Sequence, residues 1–186
     1  MKKIIALVLG LMMLCGAATA ETAAKELLTT VSLNGAFELR CAVPEGYTLE
    51  KTEETEVSQV FMLSTEDITK PLMVISIAFD ELHADVERLN DLSDEDKAAI
   101  AATWSEEDRV EISYMETSQG TQLMAVREND GVSDYVDFYT IYKGYDIEFV
   151  LVSGASDGLE FSGLTDEQIQ LAIQFLSELD FIPIEA

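Results

Sequence analysis

Between Val110 and Ser153 the chain reads as four successive extended segments: Val110 to Glu116, Gln122 to Glu128, Ser133 to Tyr142 and Tyr145 to Ser153. Gln119-Gly120, Asn129-Asp130-Gly131 and Lys143-Gly144 separate them, and connections this short leave room for hairpins alone. In the last segment Ile147, Phe149 and Leu151 alternate with Asp146 and Glu148, which predicts one dry and one wet face. A run of hairpins commits the chain to an antiparallel sheet, and the apolar face of that sheet has to be covered.

The first half supplies more strands. Phe37 to Val43 places Phe37, Leu39 and Cys41 opposite Glu38 and Arg40, and Pro44-Glu45-Gly46 turns the chain. Tyr47 to Lys51 continues extended, acidic Glu53 to Glu56 forms a hairpin tip, and Val57 to Leu63 returns. Leu72 to Phe79 has no charge and one polar residue, so it is expected to be a central strand buried on both faces.

The covering layers come from amphipathic segments. Asp80 to Asp91 carries Leu82, Val86 and Leu89 at helical spacing, and Ser93 reads as an N-cap ahead of a short helix over Lys97 to Trp104. Thr165-Asp166-Glu167-Gln168 is a capping box that opens a helix with the stripe Ile169, Ala172, Ile173 and Leu176. Phe181 and Ile182 follow in extended form, and Glu21 to Ser32 is expected as a short helix or a loose leader. The fold class is therefore α+β, an antiparallel β-sheet covered by helices in an α/β/α sandwich.

Met1-Lys2-Lys3, the apolar stretch Ile4 to Leu14 and the small residues Ala18-Thr19-Ala20 have the three parts of a cleaved export signal. The organisation expected is a signal peptide over 1–20, a leader over 21–35 and a single α+β domain over 36–186. Cys15 invites a lipoprotein reading, but Leu14 is larger than the small residue that processing enzyme seats before its cysteine. The expected product is free of lipid and lies outside the cytoplasm, in the extracellular space or at the envelope exterior.

The chain carries 36 acidic and 11 basic residues, a formal net charge of -25, and losing Lys2 and Lys3 takes this to -27. Such a surface repels a phosphate backbone and an anionic membrane, so nucleic-acid binding is excluded on charge. The same repulsion opposes self-association and predicts a monomer. An apolar fraction of 48% predicts a packed domain.

No pattern of a known catalytic site is present. Cys41 is the one cysteine left after Ala20, and its apolar run predicts a buried structural thiol. His83, beside Asp80, Glu81 and Asp85 and off the Leu82-Val86-Leu89 stripe, is expected on solvated helix surface. Ser76 lies in the central strand, where packing accounts for it. The acidic group Asp91 to Asp96 lacks the central glycine and closing glutamate of an EF-hand loop, and Asn129 to Asp134 is shorter still and is explained by a hairpin turn. No catalytic residue, no metal ligand and no cofactor is assigned.

The aromatic residues are the remaining signal. Tyr135, Phe138, Tyr139, Tyr142 and Tyr145 crowd one hairpin, with Tyr135, Tyr139 and Ile141 on one face and Val136, Phe138 and Tyr142 on the other. One face packs the core and the other packs helices or a partner. Tyr135, Tyr139 and Tyr145 are the candidate partner-binding residues, with Asp134, Asp137, Asp146 and Asp157 around them to meet a basic rim.

Two segments bring a family resemblance. Phe37-Glu-Leu-Arg-Cys-Ala-Val-Pro44-Glu-Gly46-Tyr47 and Ile173-Gln-Phe-Leu-Ser-Glu-Leu-Asp-Phe181, with the order of elements between them, resemble the Mog1/PsbP-like superfamily over about Phe37 to Ile182. The resemblance implies a small exported bacterial member and a non-enzymatic binding or assembly role, with no shared catalytic set. The leading expectation is a secreted, non-catalytic binding or accessory protein that presents an acidic surface to a protein partner. The alternatives are a secreted hydrolase using surface carboxylates and a structural envelope component.

Overall fold

A computed structural model describes residues 27–32, 34–104, 110–129, 134–154 and 163–184. The export signal, Cys15 and the loop after Gly154 lie outside the described residues. The strands are β1 (Leu27–Val31), β2 (Phe37–Ala42), β3 (Thr48–Glu54), β4 (Ser58–Ser64), β5 (Leu72–Phe79), β6 (Val110–Glu116), β7 (Gln122–Asn129), β8 (Asp134–Tyr142), β9 (Tyr145–Val152) and β10 (Asp180–Pro183). The α-helices are α1 (Asp94–Ala101) and α2 (Asp166–Ser177).

Seven strands form one antiparallel sheet in the order β3-β4-β5-β9-β8-β7-β6, and β1-β2-β10 form a second. The hairpins behave as their glycines require. Lys143 and Gly144 take φ of 51° and 78° at the β8–β9 turn, and Gly120 takes 75° between β6 and β7. The fold is the expected α+β arrangement, an antiparallel sheet covered by helices. Both helix caps are as the sequence predicts: Ser93 Oγ accepts from Asp96 N at 3.1 Å, and Thr165 and Gln168 form the full capping box.

One core lies between the inner face of the large sheet and a layer made of α2 and the small sheet. Ile75, Ile77, Phe138, Ile147 and Phe149 meet Phe37, Leu39 and Leu176 there, each at most 3% exposed. Phe37 joins the two sheets. Its ring stands edge-on to Tyr142 and Tyr145, at 5.2 and 5.5 Å between centroids, and lies 6.2 Å from Phe181. Full burial of such a ring contributes about 1.5–3 kcal/mol, and truncating it would cost more because the surrounding strands cannot close the hole.

A smaller second core covers part of the outer face of the large sheet. Leu89, Ala101 and the partly buried Trp104 pack there against Met124, Val126, Tyr139 and Ile141. Both faces of β8 are consequently buried, while β9 keeps the alternation read from its sequence.

Three expectations change. Glu21 to Ser32 contains the strand β1, paired with β2 from Leu27↔Ala42 to Val31↔Glu38, because an open sheet edge outweighs the weak helix propensity of Leu-Leu-Thr-Thr-Val. Asp80 to Asp91 forms no α-helix, only single 3-10 turns at Glu81–His83 and Leu89–Asp91. Leu89 is fully buried with Val86 packed on the same cluster, whereas Leu82 is 87% exposed, so the three spaced apolar residues do not share one face. Backbone bonds to the β8–β9 turn, Lys143 N to Glu87 O and Gly144 N to Val86 O, pin this segment to the sheet in place of continuous helix. Finally, β5 buries only Met73, Ile75 and Ile77, because the second core covers β7 and β8 and leaves the outer face of β5 half-buried.

Candidate functional site

His83 is not solvated helix surface. Its Nδ1 lies 2.7 Å from Asp146 Oδ1 on β9 and 3.8 Å from Asp80 Oδ2, with its side chain 20% exposed. Local sequence places Asp80 and His83 together across one 3-10 turn. Pairing of β5 with β9, which sets Ala78 opposite Asp146, brings in the third group.

Each carboxylate is held from behind. Asp80 Oδ1 accepts from Leu82 N at 2.8 Å, capping the turn. Asp146 accepts from the Tyr139 hydroxyl, whose ionisation is pushed up by burial and by the Asp146 charge. Burial raises the Asp146 pKa, and the His83 hydrogen bond opposes that shift. Glu148 is raised by burial and by Asp146. Among the described residues, Asp80, His83 and Asp146 are the group whose nitrogen and oxygen ligand atoms all lie within 4.8 Å of one another.

A row further along the outer face stands Asp137, 4% exposed, with Val126 on β7 and Val150 on β9 as its cross-strand neighbours. Burial and the Glu148 charge push its pKa up to about 7, against the lowering effect of a hydrogen bond from Trp104. Its Oδ1 has no hydrogen-bond partner among the described residues. A buried carboxylate in that state favours its protonated form.

The candidate tyrosines do not make one surface. Tyr139 and Tyr145 are each 2% exposed. Tyr139 lies under Trp104, 4.9 Å away and edge-on. Tyr145 packs on Phe37, and its hydroxyl accepts from Asn34 N at 3.2 Å. Tyr135 is half-buried and donates to Glu128. The aromatic density of this hairpin serves two cores on opposite faces of one sheet.

Exposed apolar side chains occur instead on β6, which ends the large sheet. Ile112 and Tyr114 are 45% and 48% exposed on its outer face, in register with Val126 and Met124 of β7. The alternation in Val110 to Glu116 could have shown them, because Ile112 and Tyr114 fall on the same face two residues apart. Glu116 on β6 and Glu128 on β7 share that face and give it negative charge, while Glu111 lies on the opposite face beside Arg127.

Cys41 is free and 3% exposed, and burial pushes its thiol up to about 11. The acids of Asp91 to Asp96 serve α1: Asp94, Glu95 and Asp96 occupy its first turn, where they suit the positive end of the helix. Asp134 instead forms a two-point pair with Arg127, at 3.1 and 2.9 Å, and accepts from Leu164 N. Residues 130–133 lie outside the described set. Among the described residues no helix is long and apolar enough to cross a membrane.

No protein-family model matches the sequence, and none of the curated proteins compared with it is a match. Among solved structures, the chain is similar to the solution structure of cyanobacterial PsbP (CyanoP) from Synechocystis sp. PCC 6803. The identity is 15%, the TM-score 0.47, and the match covers 89% of this chain and 98% of that one. A likeness at that level bears on neither the chemistry nor the partners of this protein.

Proposed function

We propose that the chain is an exported, non-catalytic binding module that takes a basic, extended segment of a protein partner along β6. The observation that carries this reading is the exposed Ile112–Tyr114 pair on the terminal strand of a seven-stranded sheet. Apolar side chains at i and i+2 on an edge strand suit an added strand, whose backbone supplies affinity and whose alternate residues supply specificity. The acidic surround and a chain charge of -25 select a basic occupant and speed its arrival at low salt.

The chemistry of the remaining groups favours binding over nucleophilic catalysis. Among the described residues the hydrogen-bond partner of His83 is a carboxylate and not a hydroxyl or thiol nucleophile, and the buried thiol of Cys41 holds its proton.

The test uses the full processed chain and a synthetic peptide that alternates lysine with valine. Amide chemical shifts should move along 110–116, with affinity falling at least tenfold between 50 and 300 mM salt. Ile112→Ser and Tyr114→Ser should each weaken binding with an unchanged circular dichroism spectrum. Shifts confined to other strands, or unaltered binding by both folded variants, would remove β6 as the contact surface.

A further inference from the structure

We propose that Asp80, His83 and Asp146 form a binding site for one divalent transition cation of the zinc type. This departs from the expectation that the chain holds no metal ligands. That expectation placed His83 beside Asp80 on solvated helix surface, and the distance between β5 and β9 along the sequence hid its partner Asp146.

The donor set is one imidazole nitrogen and two carboxylate oxygens. The His83–Asp146 and His83–Asp80 separations of 2.7 and 3.8 Å bracket the roughly 3.3 Å edge of a tetrahedron with zinc–ligand bonds of about 2.0–2.1 Å. Small side-chain rotations would therefore seat the ion between all three. Three protein ligands leave a fourth position for water, and the side chains are 20, 34 and 23% exposed for His83, Asp80 and Asp146, so an ion has access from solvent.

The ligands also have outer support, as protein metal sites do. The Leu82 amide fixes Asp80 through one oxygen, and the buried Tyr139 hydroxyl bonds Asp146. Both carboxylates lie against His83 and not against a lysine or arginine, so a bound cation would displace neither. Imidazole disfavours calcium and magnesium, which prefer all-oxygen shells, and the absence of thiolate from the set disfavours copper(I).

The competing account is that the contact only fastens the segment after β5 to β9. The single histidine of the chain separates the two without any substitution. Untagged, processed protein is stripped with chelator and titrated with zinc chloride. Calorimetry should give one ion per chain at micromolar affinity, and the ring 15N signals of His83 should move in step with saturation. Asp146→Asn and His83→Gln should each weaken binding at least thirtyfold, while Asp96→Asn on α1 leaves it unchanged. Ring signals that stay put at saturating zinc, or full affinity in a folded His83→Gln variant, would overturn the site and leave the contact as a fastening alone.

Discussion

His83 and Asp146 are separated by 63 positions yet meet at 2.7 Å, Nδ1 to Oδ1, across the turn that joins β5 to the outer layer. The bond is flanked by backbone bonds from Lys143 and Gly144 to Glu87 and Val86. Together they decide where the 80–91 segment lies, and through it where Leu89 enters the second core.

Removing that side-chain bond should loosen the segment locally. In metal-free protein, His83→Ala is expected to cost about 1 kcal/mol, the ordinary net value of one hydrogen bond. Amide exchange at Lys143 and Gly144 should quicken roughly fivefold. Amides of β4 should stay as they were. Equal acceleration in the turn and in β4 would show that the bond supports the whole fold.

Asp137 should make stability fall with rising pH. Its folded-state pKa of about 7 lies above the ordinary carboxyl value of 3.8, so the folded protein holds more protons between those limits. Its contribution is greatest below about pH 4 and is lost as pH rises through about 7. Asp137→Asn should flatten the stability curve over that window and give roughly 2 kcal/mol more stability at pH 8 than the parent. Urea titrations of the two proteins at pH 4.5, 6 and 8 check it; parallel curves would refute the assignment.

Two glycines should respond differently to alanine. A Cβ at Gly154 would sit 2.5 Å from the backbone of Thr69 and Lys70, which cannot swing aside. Gly120 has φ of +75° with nothing within 4 Å, so only backbone strain opposes the change. Gly120→Ala is expected to cost about 1 kcal/mol and Gly154→Ala at least twice that. Thermal unfolding of both variants measures the order, and the reverse order would contradict the packing of Gly154.

Cys41 should be silent to thiol reagents while the protein is folded. It lies in β2 within the main core, and its thiol is pushed up to about 11. Labelling by a disulfide reagent at pH 8 should follow global unfolding and rise with urea in step with lost circular dichroism. Rapid stoichiometric labelling without denaturant would place the thiol at the surface.

The sequence by itself determined the elements whose causes are local. Glycine turns set the β6–β7 and β8–β9 hairpins, Thr165 and Gln168 set the start of α2, and period-two alternation set the two faces of β9. Each depends on dihedral preferences or on neighbours within a few residues. Tertiary structure alone decided the rest. The 80–91 segment had helical apolar spacing, yet backbone bonds to the β8–β9 turn held it in short 3-10 turns and left Leu82 in solvent. Tyr139 and Tyr145 had the composition of a contact surface, but one is covered by Trp104 and the other by Phe37, from opposite sides of the sheet. Whether a strand faces solvent or a second layer depends on distant segments, and a side chain's periodicity carries no record of them. His83 gained its partner for the same reason: the order of strands in the sheet, not their order in the chain, put Asp146 beside it.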